Sequence, residues 1–173
     1  CTDVTVSLDA SGFAQLQSQQ ILTADLSAWS CESSLDLTVT PSQFSCADIG
    51  SHQVTLTAAA GGVVLDSCQV NASVVDQTPP TAVCAPDTVT LGQGQPGAVQ
   101  ADRFDAGSTD GCSGVLTFSA NQITLSCQAL GTNPVMVVVS DAFGNTDTCE
   151  TFLTVQDPQQ TCGEGNCPPQ RSL

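Results

Sequence analysis

Apolar and polar side chains alternate in short runs along most of this chain. In residues 3–8, DVTVSL, Val4, Val6 and Leu8 fall on one face and Thr5 and Ser7 on the other, the period of a half-buried strand. Leu35, Leu37 and Val39 alternate again until Pro41-Ser42 breaks the run. Val54, Leu56 and Ala58 do so against Thr55 and Thr57, and beyond Gly61-Gly62 the positions Val70, Ala72 and Val74 face away from Gln69, Asn71 and Ser73. Asp9-Ala10-Ser11-Gly12 is turn chemistry, and Phe13 to Leu22 reads as a further, less regular strand. Helical spacing holds only at Leu22, Leu26 and Trp29, for two turns, after the polar run Gln17-Ser18-Gln19-Gln20. The pattern predicts an all-β protein of short strands at regular intervals, which favours a sandwich over a barrel.

The pattern is written twice. Residues 45–76 and 126–157 both carry a cysteine followed four residues later by glycine (Cys46 and Gly50, Cys127 and Gly131), then an alternating strand, a turn, a second cysteine and another strand. Cys46 and Cys68 are 22 residues apart, as are Cys127 and Cys149; Cys31 precedes Cys46 by 15, as Cys112 precedes Cys127. Cys1 and Cys84 complete two matching sets of four. In the second copy the inward positions are Val89 and Leu91, then Leu116, Phe118 and Ala120, then Val135, Val137 and Val139, then Leu153 and Val155. The chain therefore divides into domain 1 (1–76), domain 2 (77–157), opened by the stiff linker Gln77-Thr78-Pro79-Pro80, and a tail (158–173) that matches neither repeat.

Composition adds a compartment and removes partners. Domains of this size bury only about two-thirds of the surface their unfolded chains expose, so covalent staples are a common supplement. Ten cysteines without a close C-x2-C pair point to disulfides in an oxidising, secreted setting rather than to zinc. Lys+Arg number 2 against 17 Asp+Glu, a net charge of −15, so nucleic acid is excluded as a partner: almost nothing here displaces counterions from phosphate. No apolar run approaches the ~18 residues of a membrane span. Lysine and tyrosine are absent, which rules out Lys–Asn isopeptide and dityrosine links and leaves disulfides as the available covalent reinforcement.

Three stretches now carry a resemblance. Thr78-Pro79-Pro80-Thr81-Ala82-Val83-Cys84, Asp141-Ala142-Phe143-Gly144-Asn145, and Cys149 followed by a strand ending Val155-Gln156-Asp157 resemble the hyalin repeat (HYR) family, and more closely its four-cysteine relatives in secreted bacterial surface proteins. The resemblance covers residues 1–157. It implies two tandem immunoglobulin-like β-sandwich domains stapled by disulfides, with roles in adhesion, spacing and matrix assembly rather than catalysis. Repeat 1 departs from it: Ala60-Gly61-Gly62-Val63 replaces the D-x-x-G-N turn, and the leading T-P-P segment is missing. Four cysteines allow three connectivities per repeat. The resemblance implies Cys1–Cys68 and Cys84–Cys149, and with them Cys31–Cys46 and Cys112–Cys127; Cys162 and Cys167 are left to close a small loop or to bond to another chain.

Candidate chemistry is sparse. His52, the single histidine, opens an alternating strand and reads as a surface residue; without a second histidine, a lysine or a nucleophile motif, acid–base and covalent catalysis lack parts, so the chain is not expected to be an enzyme. Asp141, Asn145 and Asp147 offer oxygens that a calcium ion could take, but Gly144-Asn145 reads first as the turn itself, and no metal or cofactor is assigned. Asp76 and Asp157 close their domains at equivalent positions, and Asn71-Ala72-Ser73 is an outward-facing glycosylation sequon. Where repeat 1 turns Thr55, Thr57 and Asn71 outward, repeat 2 turns out Met136, Val138 and Phe152, an apolar patch that expects either the tail or another subunit. The vacant first edge of repeat 1 suggests a strand donated by a neighbour's tail, a heterologous contact that builds filaments. The expectation is an extracellular or cell-surface structural or adhesive protein, self-associating head to tail. Its rivals are a binding module for other surface proteins or glycans, for which aromatics are few (Trp29, no Tyr), and a lipoprotein anchored through Cys1.

Overall fold

A computed structural model describes residues 1–22, 35–92, 97–121, 124–160 and 162. It divides into two compact units, Cys1–Thr78 and Pro79–Leu173, parted inside the expected linker.

Unit 1 holds strands β1 (Val4–Ser7), β2 (Phe13–Gln15), β3 (Leu35–Thr40), β4 (Gln43–Ser45), β5 (Gly50–Ala60) and β6 (Val63–Val75). One sheet has the order β1-β6-β5-β3 and a second pairs β2 with β4, the two layers of an Ig-like sandwich. First and last strands run parallel, Val4 beside Ala72 through Ser7 beside Val75. Period-two patterning delivers Val6, Val54, Leu56, Val70, Ala72 and Val74 to the interior, where Leu8, Leu16, Ile21 and Phe44 meet them from the other layer and the loops. Burial of each such aliphatic side chain contributes about 1.5–3 kcal/mol, the main favourable term in the unit. Gly61 and Gly62 both take positive φ (57° and 80°), the two-residue turn whose twist suits a hairpin.

The expectation of a strand from Phe13 to Leu22 is corrected. Pairing ends at Gln15, and Ser18–Ile21 form one helical turn, α1. The run Gln17-Ser18-Gln19-Gln20 offers no apolar face to a sheet; the Gln20 side chain instead accepts the Gln17 backbone N–H (2.8 Å), and Ile21 is fully buried. Leu26, Trp29 and Cys31 lie outside the described residues.

Unit 2 repeats the plan with β7 (Asp87–Thr90), β8 (Thr117–Ala120), β9 (Gly131–Ser140) and β10 (Thr146–Gln156), in the order β7-β10-β9-β8. Its β7 and β10 are again parallel, Leu153 beside Asp87 through Gln156 beside Thr90. The opposite layer is looser: the bridge Ala98 to Thr124 stands where unit 1 has β2 and β4, and a 3-10 turn at Ala101–Phe104 drops Phe104 into the core. Val135, Val137, Val139, Leu153 and Val155 face it from the sheet.

Candidate interaction surface and disulfide frame

The sulfur frame joins the outermost members of each unit. Cys1 is bonded to Cys68 and Cys84 to Cys149, so each bond ties the chain just ahead of the unit's first sheet strand to its last strand. The expected Cys112–Cys127 bond is corrected. Cys127, in the 3-10 turn that precedes β9, is bonded to Cys162, a separation of 35 residues. That bond equally replaces the small loop between Cys162 and Cys167. Cys112 is not a free thiol either, and Cys46 is disulfide-bonded. The physical reason is the path of the chain: Val155 at the end of β10 lies opposite Gly131, which brings the residues after β10 back to the turn that holds Cys127. The Cys162 N–H also donates to Asp157 (2.8 Å), which closes the approach. Spacing within the repeats could not show it, because Cys162 belongs to neither.

The patch expected at Met136, Val138 and Phe152 lies on the outward face of the β9–β10 ladder. Met136 pairs across with Glu150 and Pro134 with Phe152; Met136 is 50% and Phe152 54% exposed. Val138 is only half-buried, flanked by Ser119 on one side and Thr148 on the other, so it forms the patch's margin rather than its centre. Asn121 shapes the near wall: its side-chain oxygen accepts the Met136 N–H (2.7 Å) and its Nδ2 donates to the Pro134 carbonyl (3.4 Å). Together with Glu150 these residues line a groove of about 350 Å³.

The acidic turn does structural work. Asp141 is buried, and its carboxylate accepts the N–H groups of Phe143 (2.9 Å) and Asn145 (2.8 Å) and the Asn145 side-chain amide (2.7 Å). Burial pushes its pKa up, yet the hydrogen bonds from Asn145, Phe143 and Gly144 outweigh it and hold the group below the usual carboxylate value. Asp147 does not converge on that site: it accepts from the Ala82 N–H (2.9 Å) and the Thr148 N–H (2.8 Å), which lower its pKa in that order. The carboxylate that does approach Asp141 is Asp110, within 4.8 Å. Asp110 accepts two N–H groups on one oxygen, from Cys112 and Ser113, while its other oxygen is buried without a hydrogen-bond partner among the described residues. Two carboxylates so placed have the donor chemistry of a hard cation site. No sequence signal marks this pair, since Asp110 lies 31 residues from Asp141.

His52 is a structural residue. Its Nε2 lies 2.6 Å from the Asp48 carbonyl oxygen and its ring packs against Phe44 at 5.9 Å. Asn71 is exposed on β6, with its N–H donating to Asp3 (2.8 Å). Among the described residues no nucleophile lies in hydrogen-bond reach of an imidazole, and no helix is long and apolar enough to cross a membrane.

No protein-family model matches the sequence. No curated protein matches it either. Solved structures similar to it include human mucin-like protocadherin EC1-2, 12% identical over 90% of this chain and 95% of that one with a TM-score of 0.35. Mouse cadherin-23 EC22-24 is 13% identical over 90% and 62%, with a TM-score of 0.37, and human protocadherin-24 EC1-2 is 10% identical over 90% and 95%, with 0.36. Such identities and scores assign neither family nor function.

Proposed function

We propose that the protein is a secreted structural or adhesive element, a tension-bearing spacer whose copies associate head to tail in an extracellular filament. The observation that carries this reading is the placement of the bonds Cys1–Cys68 and Cys84–Cys149. Force applied along the chain enters unit 1 at Cys1 and crosses directly to Cys68, and it enters unit 2 at Cys84 and crosses to Cys149. Most of each unit is thereby bypassed, and only the short segments between the bonds lie under load. An enzyme or a soluble ligand carrier has no need of such shunts. Edge strands supply a means of association. Strand β1 pairs only with Ala72–Val75, so along Val63–Ser67 the outer edge of β6 has no partner strand among the described residues, and the exposed Val63, Val64 and Leu65 lie there. Val63–Leu65 carry no charge in a chain of net −15, Asp66 being the one carboxylate of the stretch, so a strand from another surface of a neighbouring copy can add there against little repulsion.

Single-molecule stretching tests the mechanical reading. Each bond sequesters a loop of 67 or 65 residues, worth roughly 200–240 Å of contour at about 3.3–3.6 Å per residue. Oxidised protein should show neither extension, and reductant should release both; oxidised units that unravel to full length would refute the role. Electron microscopy of native material tests assembly, and monodisperse monomers would count against the filament.

A further inference from the structure

We propose that the outward face of the β2–β4 sheet in unit 1 is a binding site for a neutral saccharide, with the Phe13 ring as the platform for a pyranose and the Gln15 and Gln43 amides as the groups that hold its hydroxyls. This adds a ligand to the spacer role and stands whether or not copies assemble. The site follows from register. Phe13 lies opposite Ser45, Ala14 opposite Phe44, and Gln15 opposite Gln43. A period of two sends Ala14 and Phe44 inward, Phe44 being only 3% exposed, and leaves Phe13, Gln15 and Gln43 on the solvent side, where Phe13 is 60% exposed. Together with Asp9 these residues line a cavity of about 340 Å³, at the small end of the range that ligand sites occupy.

The loop ahead of β2 holds the ring in place. Asp9 Oδ1 accepts the Ser11 N–H (2.9 Å), the Ser11 hydroxyl (2.6 Å) and the Phe13 N–H (3.1 Å), so the start of the strand is fixed before any ligand arrives. The other Asp9 oxygen and the Gln15 and Gln43 amides make no hydrogen bond among the described residues and are left to solvent. Chemistry then narrows the occupant. The negative face of an aromatic ring suits the slightly positive C–H edge of a sugar. Each amide carries an acceptor oxygen and two donor hydrogens, the pairing that adjacent hydroxyls need. An aliphatic ligand would bury both amides unsatisfied. An ammonium ligand could use the ring and the carboxylate, but it has no acceptor for the amide N–H groups. Ligands bearing phosphate, sulfate or carboxylate are opposed by Asp9 and by the net charge of −15. An uncharged, hydroxyl-rich ring meets every one of these groups.

NMR titration of the 15N-labelled full chain tests the site. Cellohexaose, chitohexaose and mannohexaose at millimolar concentration should include at least one that moves the Gln15 and Gln43 side-chain amide signals, and polygalacturonate should leave them in place. F13A, which removes an exposed ring outside the core, should raise the dissociation constant roughly tenfold without lowering Tm. F152A, which removes an exposed ring of unit 2, should not change it. The proposal fails if none of the three neutral sugars moves the signals, if F13A binds as the parent does, or if F152A weakens binding as much as F13A. Equal movement with polygalacturonate would overturn the preference for a neutral ligand.

Discussion

Asp141 shows at residue scale how a carboxylate serves a turn. Three donors converge on it, two of them backbone N–H groups that the tight Asp141–Asn145 turn leaves without ladder partners, and Gly144 takes φ +92° so that the chain can reverse there. Asp141→Ala should therefore cost about 1–3 kcal/mol, since the donors would stay behind in a partly buried setting. For a unit of this size that lowers Tm by roughly 4–8 °C per kcal/mol. Asp141→Asn keeps an oxygen for both backbone donors and should cost less. A thermal melt in which the alanine variant matches the parent would remove the turn's dependence on this side chain. The neighbouring pair of Asp110 and Asp141 gives a second test. Calcium at millimolar concentration should raise the Tm of the parent and leave Asp110→Asn unchanged, because the variant retains an acceptor for Cys112 and Ser113 but lacks the second negative charge. An equal rise in both would mean that the ion acts elsewhere.

At the scale of elements, the new bond between Cys127 and Cys162 makes the clearest prediction. Proteolysis without reduction should release a linked peptide pair containing these two cysteines, and a pair joining Cys112 to Cys127 would contradict the fold described. On the chain-entropy model the 35-residue loop contributes roughly 4 kcal/mol. Cys162→Ser should therefore destabilise unit 2 more than unit 1, readable as an early transition in calorimetry. The elements that the sequence made legible are those whose burial follows a strict period of two. Val54 and Leu56, Val70 to Val74, and Val135 to Val139 are all inward as their alternation requires, because one face of each strand is the core. Phe13 to Leu22 failed that test for a local reason: Gln20 can close a turn on Gln17 as readily as it can join a ladder, and pattern alone does not weigh the two. Met136 and Phe152 were legible as an outward patch by comparison of the repeats, whereas Asn121, which fixes the groove's wall through Met136 and Pro134, required knowledge of strand register.

The whole molecule carries its charge in a way that fixes its response to acid. Asp9, Asp48, Asp87, Asp105, Asp141 and Asp147 all have pKa values lowered from the ordinary 3.8. The causes are local: hydrogen bonds from Ser11 to Asp9, from Ser45 to Asp48 and from Ser108 to Asp105, and the Arg103 guanidinium on Asp87. A carboxylate whose folded pKa lies below its unfolded one contributes stability that is fully present above the unfolded value and is lost as pH falls through the folded value. These six sites therefore stabilise the fold at neutral pH, and that contribution is lost progressively as pH falls from about 3.8 through their lower folded values. Long-range repulsion acts in the other direction, because a net charge of −15 at pH 7 shrinks toward zero near the sequence pI of 4.1. The two effects separate on the pH axis. Tm should rise as pH falls from 7 toward about 4.5 while repulsion fades and the carboxylates remain ionised, then drop steeply below 3.8 as the turns lose their acceptors. Salt added at pH 7 should reproduce the first change by screening and leave the second, which rests on short hydrogen bonds, in place. Association should strengthen over the same upper range, since the uncharged edge at Val63–Leu65 meets its partner against less repulsion. A Tm that falls steadily from pH 7 downward would overturn the repulsion account, because carboxylates that titrate below 3.8 cannot lower stability in that upper range.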